Sequence, residues 1–432
     1  MDKEKLAADL AAYFEKHMDE ILADLGEIIS IESVADESSD VKPFGEGSAK
    51  ALAWGEAQMK KLGMTTKNFG NYAVRGDFNG NGAPVLGILA HLDTVPATNG
   101  WSFPPFELTR KDDVLYGRGV IDDKGPAVAV LWAVRAVQEL GLPLKNFRVI
   151  FGGNEENGCT DMAYYKTCEA FPPMVFTPDG SFPVLNCEKG LLHITFSAPF
   201  EDDKISSMHG GIALNAIPDR LEVVYKDGTG DIVQGLSSHG SRPENGDNAV
   251  TKYLKDHSGN GLLTGLAKLF PHGEFAGESL GMGFEDKVSG RMSCALTKID
   301  TEDGRLCCGM DIRFPIDRTS DEIKTIVFGA LEGVGFTVDT CESMEPHYVD
   351  EQSDFVQTLL SVYERVKGEK GYCIAEGGVT YVHDTEGAVA FGAEFPWEDN
   401  NMHGNDEHIS METFRYNLNM YANAIAELCI DE

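Results

Sequence analysis

Short apolar runs that alternate with longer segments of helical periodicity constrain this fold more than any other feature. Residues 85–91 form a nearly continuous apolar run, which is typical of a strand buried on both faces of a sheet. The same reading predicts further strands at 72–78, 147–152 and 175–178, and helices at 5–29, 51–62 and 126–140. This alternation predicts an α/β fold with a largely parallel sheet.

Ionisable side chains follow the predicted strands at the points where they end. His91 and Asp93 end one strand, Glu155 and Glu156 lie just past another, and Asp179 follows a third. In parallel sheets, binding sites form beyond the carboxyl ends of the strands. We therefore expect these side chains to converge.

The pattern changes near residue 188, where a region with a more antiparallel character begins. Its predicted helices lie near 248–256, 261–269 and 320–332, and two further helices close the chain at 353–366 and 412–428. His403 lies far along the chain but looks like a partner of the N-terminal acids. We therefore predict a discontinuous first domain, 1–187 and 346–432, with an α+β domain inserted at 188–345.

Five turn-forming segments carry the candidate chemistry. They are LAHLDTVP (89–96), GRGVIDDKGP (117–126), GGNEENG (152–158), TPDGSFP (177–183) and MHGNDEHIS (402–410). Each alone is weak evidence, since an Asp-Asp pair before a helix is usually an N-cap. Together they offer the imidazole and carboxylate ligands that suit zinc and related ions, and two metals need one bridging ligand and several terminal ones.

With these segments the chain resembles the M20 family of metallopeptidases, and within it the PepV-like dipeptidases of the Xaa-His dipeptidase or Sapep type. The segments GGIALNAIPD (210–219), SSHGS (237–241) and FGAEFPWEDNN (391–401) extend the resemblance over nearly the whole chain. The resemblance implies a zinc-exopeptidase-like catalytic domain with a mostly parallel central sheet, plus an inserted lid domain.

The resemblance also implies a site for two divalent metal ions, with zinc expected and manganese or cobalt as alternatives. His91 and Asp179 are the expected terminal ligands of one ion, Asp122 the bridge, and Glu156 and His403 the ligands of the second. The bond between Asp122 and the next residue is expected to be cis, as is typical of the family.

Two further carboxylates have implied roles beside these ligands. Glu155 is the expected general base and acid, which takes a proton from the attacking water and passes it to the leaving amine. Asp93 is expected to orient the ring of His91 through its second nitrogen. A turn-capping carboxylate is the structural alternative for Asp93.

In the inserted domain, the resemblance implies substrate-binding roles for three residues. Asn215 is expected to contact the substrate backbone, His239 to donate a hydrogen bond to the developing oxyanion, and Arg313 to bind the free carboxylate of the substrate. The roles of His209, His383, His408 and the neighbouring Asp384 remain open at this point.

Composition restricts the partners. The chain has 36 basic and 70 acidic residues, a net charge of −34, which disfavours nucleic acid and anionic membranes as partners. Its N-terminal segment lacks a secretory pattern, no apolar run could span a bilayer, and the nine cysteines show no CxxC spacing. We predict a cytoplasmic protein, monomer or homodimer, that acts on short peptides.

The predicted function is hydrolysis of dipeptides and other very short peptides by water activated between two metal ions. The alternative is an N-acyl amino-acid deacylase of the succinyl-diaminopimelate desuccinylase or acetylornithine deacetylase type, which shares every metal ligand. A requirement for a free α-amine would distinguish the two. A protein that only binds peptides or metal is disfavoured, because it would not need Glu155.

Overall fold

The computed structural model describes residues 2–38, 43–80, 82–257, 259, 261–378, 380–383 and 385–431. The α-helices are α1 (Lys3–Ile29), α2 (Gly45–Lys61), α3 (Lys124–Glu139), α4 (Thr160–Cys168), α5 (Ala249–Asp256), α6 (Gly261–Leu269), α7 (Ser320–Gly333), α8 (Asp354–Lys367) and α9 (Met411–Leu428). In the part of the chain described, no helix is both long enough and apolar enough to cross a membrane.

The strands up to residue 199 are β1 (Thr65–Asn68), β2 (Ala73–Asp77), β3 (Leu86–His91), β4 (Thr109–Lys111), β5 (Val114–Tyr116), β6 (Arg148–Gly152), β7 (Met174–Thr177), β8 (Val184–Glu188) and β9 (Gly190–Pro199). The later strands are β10 (Ile205–Gly210), β11 (Arg220–Tyr225), β12 (Gly230–Gln234), β13 (Glu285–Asp286), β14 (Gly290–Arg291), β15 (Ser293–Glu302), β16 (Arg305–Phe314), β17 (Thr337–Met344), β18 (His347–Tyr348), β19 (Cys373–Glu376), β20 (Ala388–Ala390) and β21 (His408–Ser410).

The chain divides into two compact units. Unit 1 comprises Met1–Asn186, Val349–Ile374 and Val379–Glu432, and unit 2 comprises Cys187–Tyr348 with the short segment Ala375–Gly378. Each unit has its own sheet and its own hydrophobic core.

Unit 1 is built on a mixed sheet whose strands follow the order β1-β2-β6-β3-β7-β20-β8. The central strands β6, β3, β7 and β20 are parallel, and the flanking pairs are antiparallel. Every residue of β3 is buried, as its continuous apolar run predicted. Alternate side chains of β3 enter two different clusters, Ile88 and Ala90 in one and Leu89 in the other.

Helices α1, α3, α8 and α9 pack against one another in the larger cluster of unit 1. Nearly all of α3 is buried, which fits its short run of small and branched apolar residues. This helix begins directly after Asp122 and Asp123, so its burial fixes the chain at the point where these acids lie.

Unit 2 is an antiparallel sheet in the order β12-β11-β10-β15-β16-β9-β17, with α5, α6 and α7 packed in its core. The prediction of an α/β fold with a mostly parallel central sheet is confirmed for unit 1, and the α+β character of the second region is confirmed as well.

The predicted helices match the observed ones closely, but α2 begins at Gly45, six residues earlier than expected. The apolar period there is weak, since Gly, Ser and Ala fill the first turns of the helix. The sequence also missed α4 and a small sheet in the order β21-β5-β4. The strands of this sheet have only three residues each, too few to show a period.

Candidate active site

Three neighbouring parallel strands bring the first group of site residues to one edge of the sheet in unit 1. His91 is the last residue of β3 and lies opposite Gly152, the last residue of β6. Glu155 and Glu156 follow β6, and Asp179 follows β7, which pairs with β3 on its other side. The carboxyl ends of these strands therefore meet at one place, as expected for a sheet of this kind.

Asp122 and His403 reach the same place from two loops. Asp122 precedes α3, and its peptide bond to Asp123 is cis. His403 lies between β20 and β21 and has a positive φ of 62°, in the left-handed region that side chains other than glycine rarely adopt. Both side chains are thus placed by loop backbone rather than by a regular element.

The five side chains form two triads that share Asp122. His91, Asp122 and Asp179 form one triad, and Asp122, Glu156 and His403 form the other, with ligand atoms in each within 4.8 Å of one another. Nε2 of His91 lies 2.9 Å from Asp122 Oδ1, and Nε2 of His403 lies 2.8 Å from Asp122 Oδ2. Each oxygen of Asp122 thus faces a different triad, as a bridging carboxylate requires.

The charges in these triads are unusual for a protein interior. Burial, followed by the charge of Asp122, raises the pKa of Asp179 to about 7 and also raises the pKa of Glu156. Hydrogen bonds to Asp122 and then Glu156 raise the pKa of His403 to about 11. Raised carboxyl pKa values mean that the negative charge of these side chains is unfavourable in its surroundings. A bound cation would stabilise that charge.

The donor set fits divalent metal ions. It offers two imidazole nitrogens and three carboxylates, a combination typical of zinc and neighbouring metals. Glu156 Oε1 is buried and accepts no hydrogen bond from the residues that the structure describes. A buried carboxylate oxygen without a donor is costly, and a cation in the second triad would provide its missing partner.

Asp93 connects His91 with the loop that carries the two glutamates. Its carboxylate is fully buried, with Oδ1 3.4 Å from Nδ1 of His91, and its backbone carbonyl oxygen lies closer to the same nitrogen, at 3.1 Å. Its two oxygens also accept hydrogen bonds from the backbone N–H groups of Glu155 and Glu156, both at 3.1 Å. This second contact could not be predicted from the sequence, since it depends on how two separate loops meet.

Glu155 belongs to neither triad, although it lies beside both. Burial, followed by the charge of Asp179, raises the pKa of its carboxyl well above the ordinary range. It is therefore a half-buried carboxylate close to the ligands but outside the set that could hold a metal ion.

In unit 2, the structure brings Asn215 and His239 together. Ala216 and His239 form an antiparallel bridge, and the carbonyl of Asn215 accepts a 2.7 Å hydrogen bond from the N–H of Gly240. The N–H of Ser241 donates to Nδ1 of His239 at 3.2 Å. In the neutral ring the proton therefore lies on Nε2, and burial, followed by the charge of Arg313, lowers the pKa of this histidine.

Arg313 belongs to the same cluster, where it is already paired. Its Nε and Nη2 donate to the two oxygens of buried Asp311, at 2.9 and 2.8 Å, and its Nη1 donates to the carbonyl of Gly377. His193 adds a 2.9 Å contact from Nε2 to Asp311 Oδ2. The sequence missed the partner Asp311, which lies on β16, and the further contact of Asp311 with His193 on β9.

The comparisons with known proteins agree with this geometry. The model of Peptidase family M20/M25/M40 matches residues 87–427, which span all five candidate ligands. The chain belongs to this family. The M20 resemblance and the prediction of a peptide-bond hydrolase are confirmed, and membership implies divalent metal ions, for which the two triads are the candidate groups.

Among the relatives of this M20 peptidase is the Beta-Ala-Xaa dipeptidase of Lactobacillus delbrueckii subsp. lactis. The two are 32% identical over 463 residues, which cover 97% of this chain and 98% of the relative. This relative favours the dipeptidase prediction over the deacylase alternative.

Solved structures show the same fold at lower identity. Human carnosine dipeptidase 1 has a TM-score of 0.65 and 16% identity, with 98% of each chain covered. The dipeptidase Dug1p of Saccharomyces cerevisiae has a TM-score of 0.61 and 15% identity, again with 98% of each chain covered.

The remaining histidines of this M20 peptidase lie outside the two triads. His408 begins β21, and its Nδ1 lies 2.9 Å from the carbonyl oxygen of Asp406. His209 is an exposed residue of β10 that pairs with Asp300 in unit 2. His383 is half-buried in unit 1, and Asp384 lies outside the described residues.

Proposed function

We propose that this M20 peptidase is a dipeptidase that hydrolyses dipeptides and other very short peptides. The observation that carries the proposal is the pair of triads that share Asp122, with Glu155 next to them. Two divalent ions, zinc in the first place and manganese or cobalt as alternatives, would be held by these triads. When bound, such ions polarise the scissile carbonyl and lower the pKa of water.

Glu155 moves the protons of the reaction. It takes one from the attacking water as the new carbon–oxygen bond forms, and it delivers this proton to the amine as the carbon–nitrogen bond breaks. Asp93 positions this base because it accepts hydrogen bonds from the N–H groups of Glu155 and Glu156 while it also orients His91. Asp93 thus positions a ligand and the base together, through its backbone carbonyl and its carboxylate.

For unit 2, we propose substrate-binding roles. His239 has its proton on Nε2, so this nitrogen donates to the oxyanion as negative charge develops on the substrate. Asn215 is exposed, and its side chain is proposed to contact the substrate backbone. A lid role for this unit, as the M20 resemblance implies, remains part of the proposal.

Arg313 is proposed to bind the free carboxylate of the substrate through one edge of its guanidinium group. Asp311 occupies the edge formed by Nε and Nη2, and Gly377 takes one N–H of Nη1. One N–H on Nη1 and one on Nη2 are left for a bidentate contact. Asp311 holds the guanidinium plane, so the free carboxylate meets a fork that is already oriented.

We also propose a cytoplasmic location, with a monomer or homodimer as the assembly. All nine cysteines are free, which suits a reducing compartment. Short peptides are the proposed partners, and the net charge of −34 supports the exclusion of nucleic acid and anionic membranes.

A hydrolysis assay with zinc or manganese tests the proposal. It would compare a free dipeptide, including a β-alanyl one, with its N-acetylated and C-amidated forms and with acetylated and succinylated amino acids. We expect cleavage of the free dipeptide and little cleavage of the blocked forms. Asp122→Asn is the inactive control. Cleavage of the acylated amino acids alone would transfer the function to deacylation and remove the roles proposed for unit 2.

A further inference from the structure

A buried ion pair, Arg118 with Glu407, lies against the loops that carry Asp122 and His403. Arg118 lies in the segment 117–126, which carries Asp122, and Glu407 lies in the segment 402–410, which carries His403. Nη1 of Arg118 donates to Glu407 Oε2 at 2.6 Å, and both side chains are only 1% exposed. Neither residue belongs to the candidate ligand groups, so the proposed chemistry leaves this pair unexplained.

Glu407 holds the loop that leads to the bridging carboxylate. Its Oε1 accepts hydrogen bonds from the N–H groups of Gly119 at 2.9 Å and Ile121 at 3.1 Å, with a longer contact to the N–H of Asp122 at 3.4 Å. One carboxylate oxygen therefore contacts the backbone N–H groups of three residues in this loop. The last of these residues is the one shared by both triads.

Arg118 holds the loop that carries the other ligand. Its Nη2 contacts the carbonyl oxygens of His403 at 3.3 Å, Gly404 at 3.0 Å and Pro96 at 3.4 Å. His403 has a left-handed backbone, which costs free energy for a residue with a side chain and persists only where the surroundings enforce it. The contact to the His403 carbonyl is one such restraint.

Stability alone does not account for this pair. Moving two charges out of water costs free energy, and well-packed apolar residues in their place are often neutral or stabilising. Here Nη2 of Arg118 and Oε1 of Glu407 form hydrogen bonds with backbone groups of the ligand-bearing loops, while Nε of Arg118 is buried without a partner among the residues that the structure describes. The pair thus links segments that lie almost 290 residues apart in the chain.

We propose that Arg118 and Glu407 are positioning residues that set the distance between Asp122 and His403 and so determine metal affinity. The pair acts through backbone contacts and touches neither substrate nor metal. This inference rests on the proposed metal centre.

The test is a calorimetric titration of the metal-free protein with zinc chloride. Glu407→Gln keeps the shape of the side chain but removes its charge, and Arg118→Lys keeps the charge but loses the planar fork. We expect each change to weaken zinc binding by about 10- to 100-fold, the usual effect of residues that orient ligands. Unchanged affinity in both variants would overturn the proposal.

The ion pair of Arg148 and Asp77, which Arg75 and Glu169 extend into a cluster, supplies a control. It lies at the opposite end of β6 from the site, with Nε of Arg148 2.7 Å from Asp77 Oδ1 and side chains 9% and 12% exposed. We expect Asp77→Asn to lower Tm, as loss of a buried partner does, and to leave zinc affinity unchanged. An equal loss of affinity in Asp77→Asn would mean that any buried pair has this effect, which would overturn the inference.

An apolar double variant separates positioning from stability and decides the matter if Glu407→Gln does not fold. In Arg118→Met with Glu407→Leu, no charge is left unpaired, so we expect Tm to return towards that of the parent protein while zinc affinity stays weak. Recovery of both quantities would overturn the inference. If the parent protein itself binds no zinc, the metal centre and the proposed function fail instead.

Discussion

Glu155 and Glu156 are adjacent and chemically identical, yet their surroundings differ, and we propose different roles for them. The carboxylate of Glu156 faces His403 at 3.2 Å and joins a triad, whereas Glu155 belongs to neither triad. Their backbone N–H groups are held by the two oxygens of one carboxylate, Asp93. The proposed division between ligand and base therefore depends on how this loop is held and not on residue type.

Substitution of each glutamate in turn tests this division. Glu155→Gln keeps the side-chain shape and should lower kcat by about 10²- to 10⁴-fold through loss of the proton carrier, while the metal content of the protein stays that of the parent. Glu156→Gln should instead lower metal affinity. Steady-state kinetics together with metal analysis of the dialysed proteins would measure both effects. Parental kcat in Glu155→Gln would contradict the assignment of the base.

At the scale of elements, the first turn of α3 decides where Asp122 lies. Gly125 is packed so closely that a Cβ atom would lie 2.0 Å from the carbonyl oxygen of Val120, and its N–H donates to the carbonyl of Gly119 at 3.0 Å. Backbone atoms cannot move aside as a flexible side chain can. Only glycine therefore allows the loop at 119–122 to fold back against the helix.

Gly125→Ala should displace this loop from the helix and weaken metal binding. Overpacking of this kind typically costs about 1–3 kcal/mol of unfolding free energy, so Tm should fall as well. Gly329→Ala is the matched control, because this exposed glycine lies within α7 and a Cβ atom there meets nothing within 4 Å. We expect the control to keep metal affinity and to maintain or raise Tm. Equal metal affinity in both variants would argue against the packing account.

At the scale of the whole molecule, the charge of the site links metal binding to stability. Burial, followed by the charge of Asp122, raises the pKa values of Asp179 and Glu156, so these carboxylates carry their negative charge at a cost in free energy that a bound cation would offset. A cation that binds the folded protein and not the unfolded chain stabilises it by mass action, by about 4 kcal/mol at a thousandfold excess over Kd.

Removal of metal by a chelator should therefore lower Tm by several degrees, and added zinc or manganese should restore it. Calorimetric scans of the chelated and the metal-loaded protein would measure the difference. Asp122→Asn should abolish this metal-dependent increment because it removes the shared ligand, whereas Glu155→Gln should retain it. Identical Tm values for the chelated and loaded parent protein would exclude a structural contribution from the metals.

Much of this protein could be predicted from the sequence, because local physics carries the signal. Apolar runs indicated buried strands, helical periodicity indicated α1, α3 and α9, and turn residues placed ionisable groups at the strand ends. Parallel strands expose their carboxyl ends at one edge, so convergence of His91, the two glutamates and Asp179 followed from order along the chain.

Only the tertiary structure decided which partners support these residues. Arg118 and Glu407 lie within segments that carry candidate ligands, but they are 289 positions apart in the chain. The hydrophobic periodicity of a sequence does not predict a contact over such a separation. The same holds for Asp311, which sits beside Arg313 on β16 in a pattern that any buried strand could show. Backbone hydrogen bonds to a carboxylate depend on where loops meet in space, and that is set by packing of the whole unit rather than by neighbours in sequence.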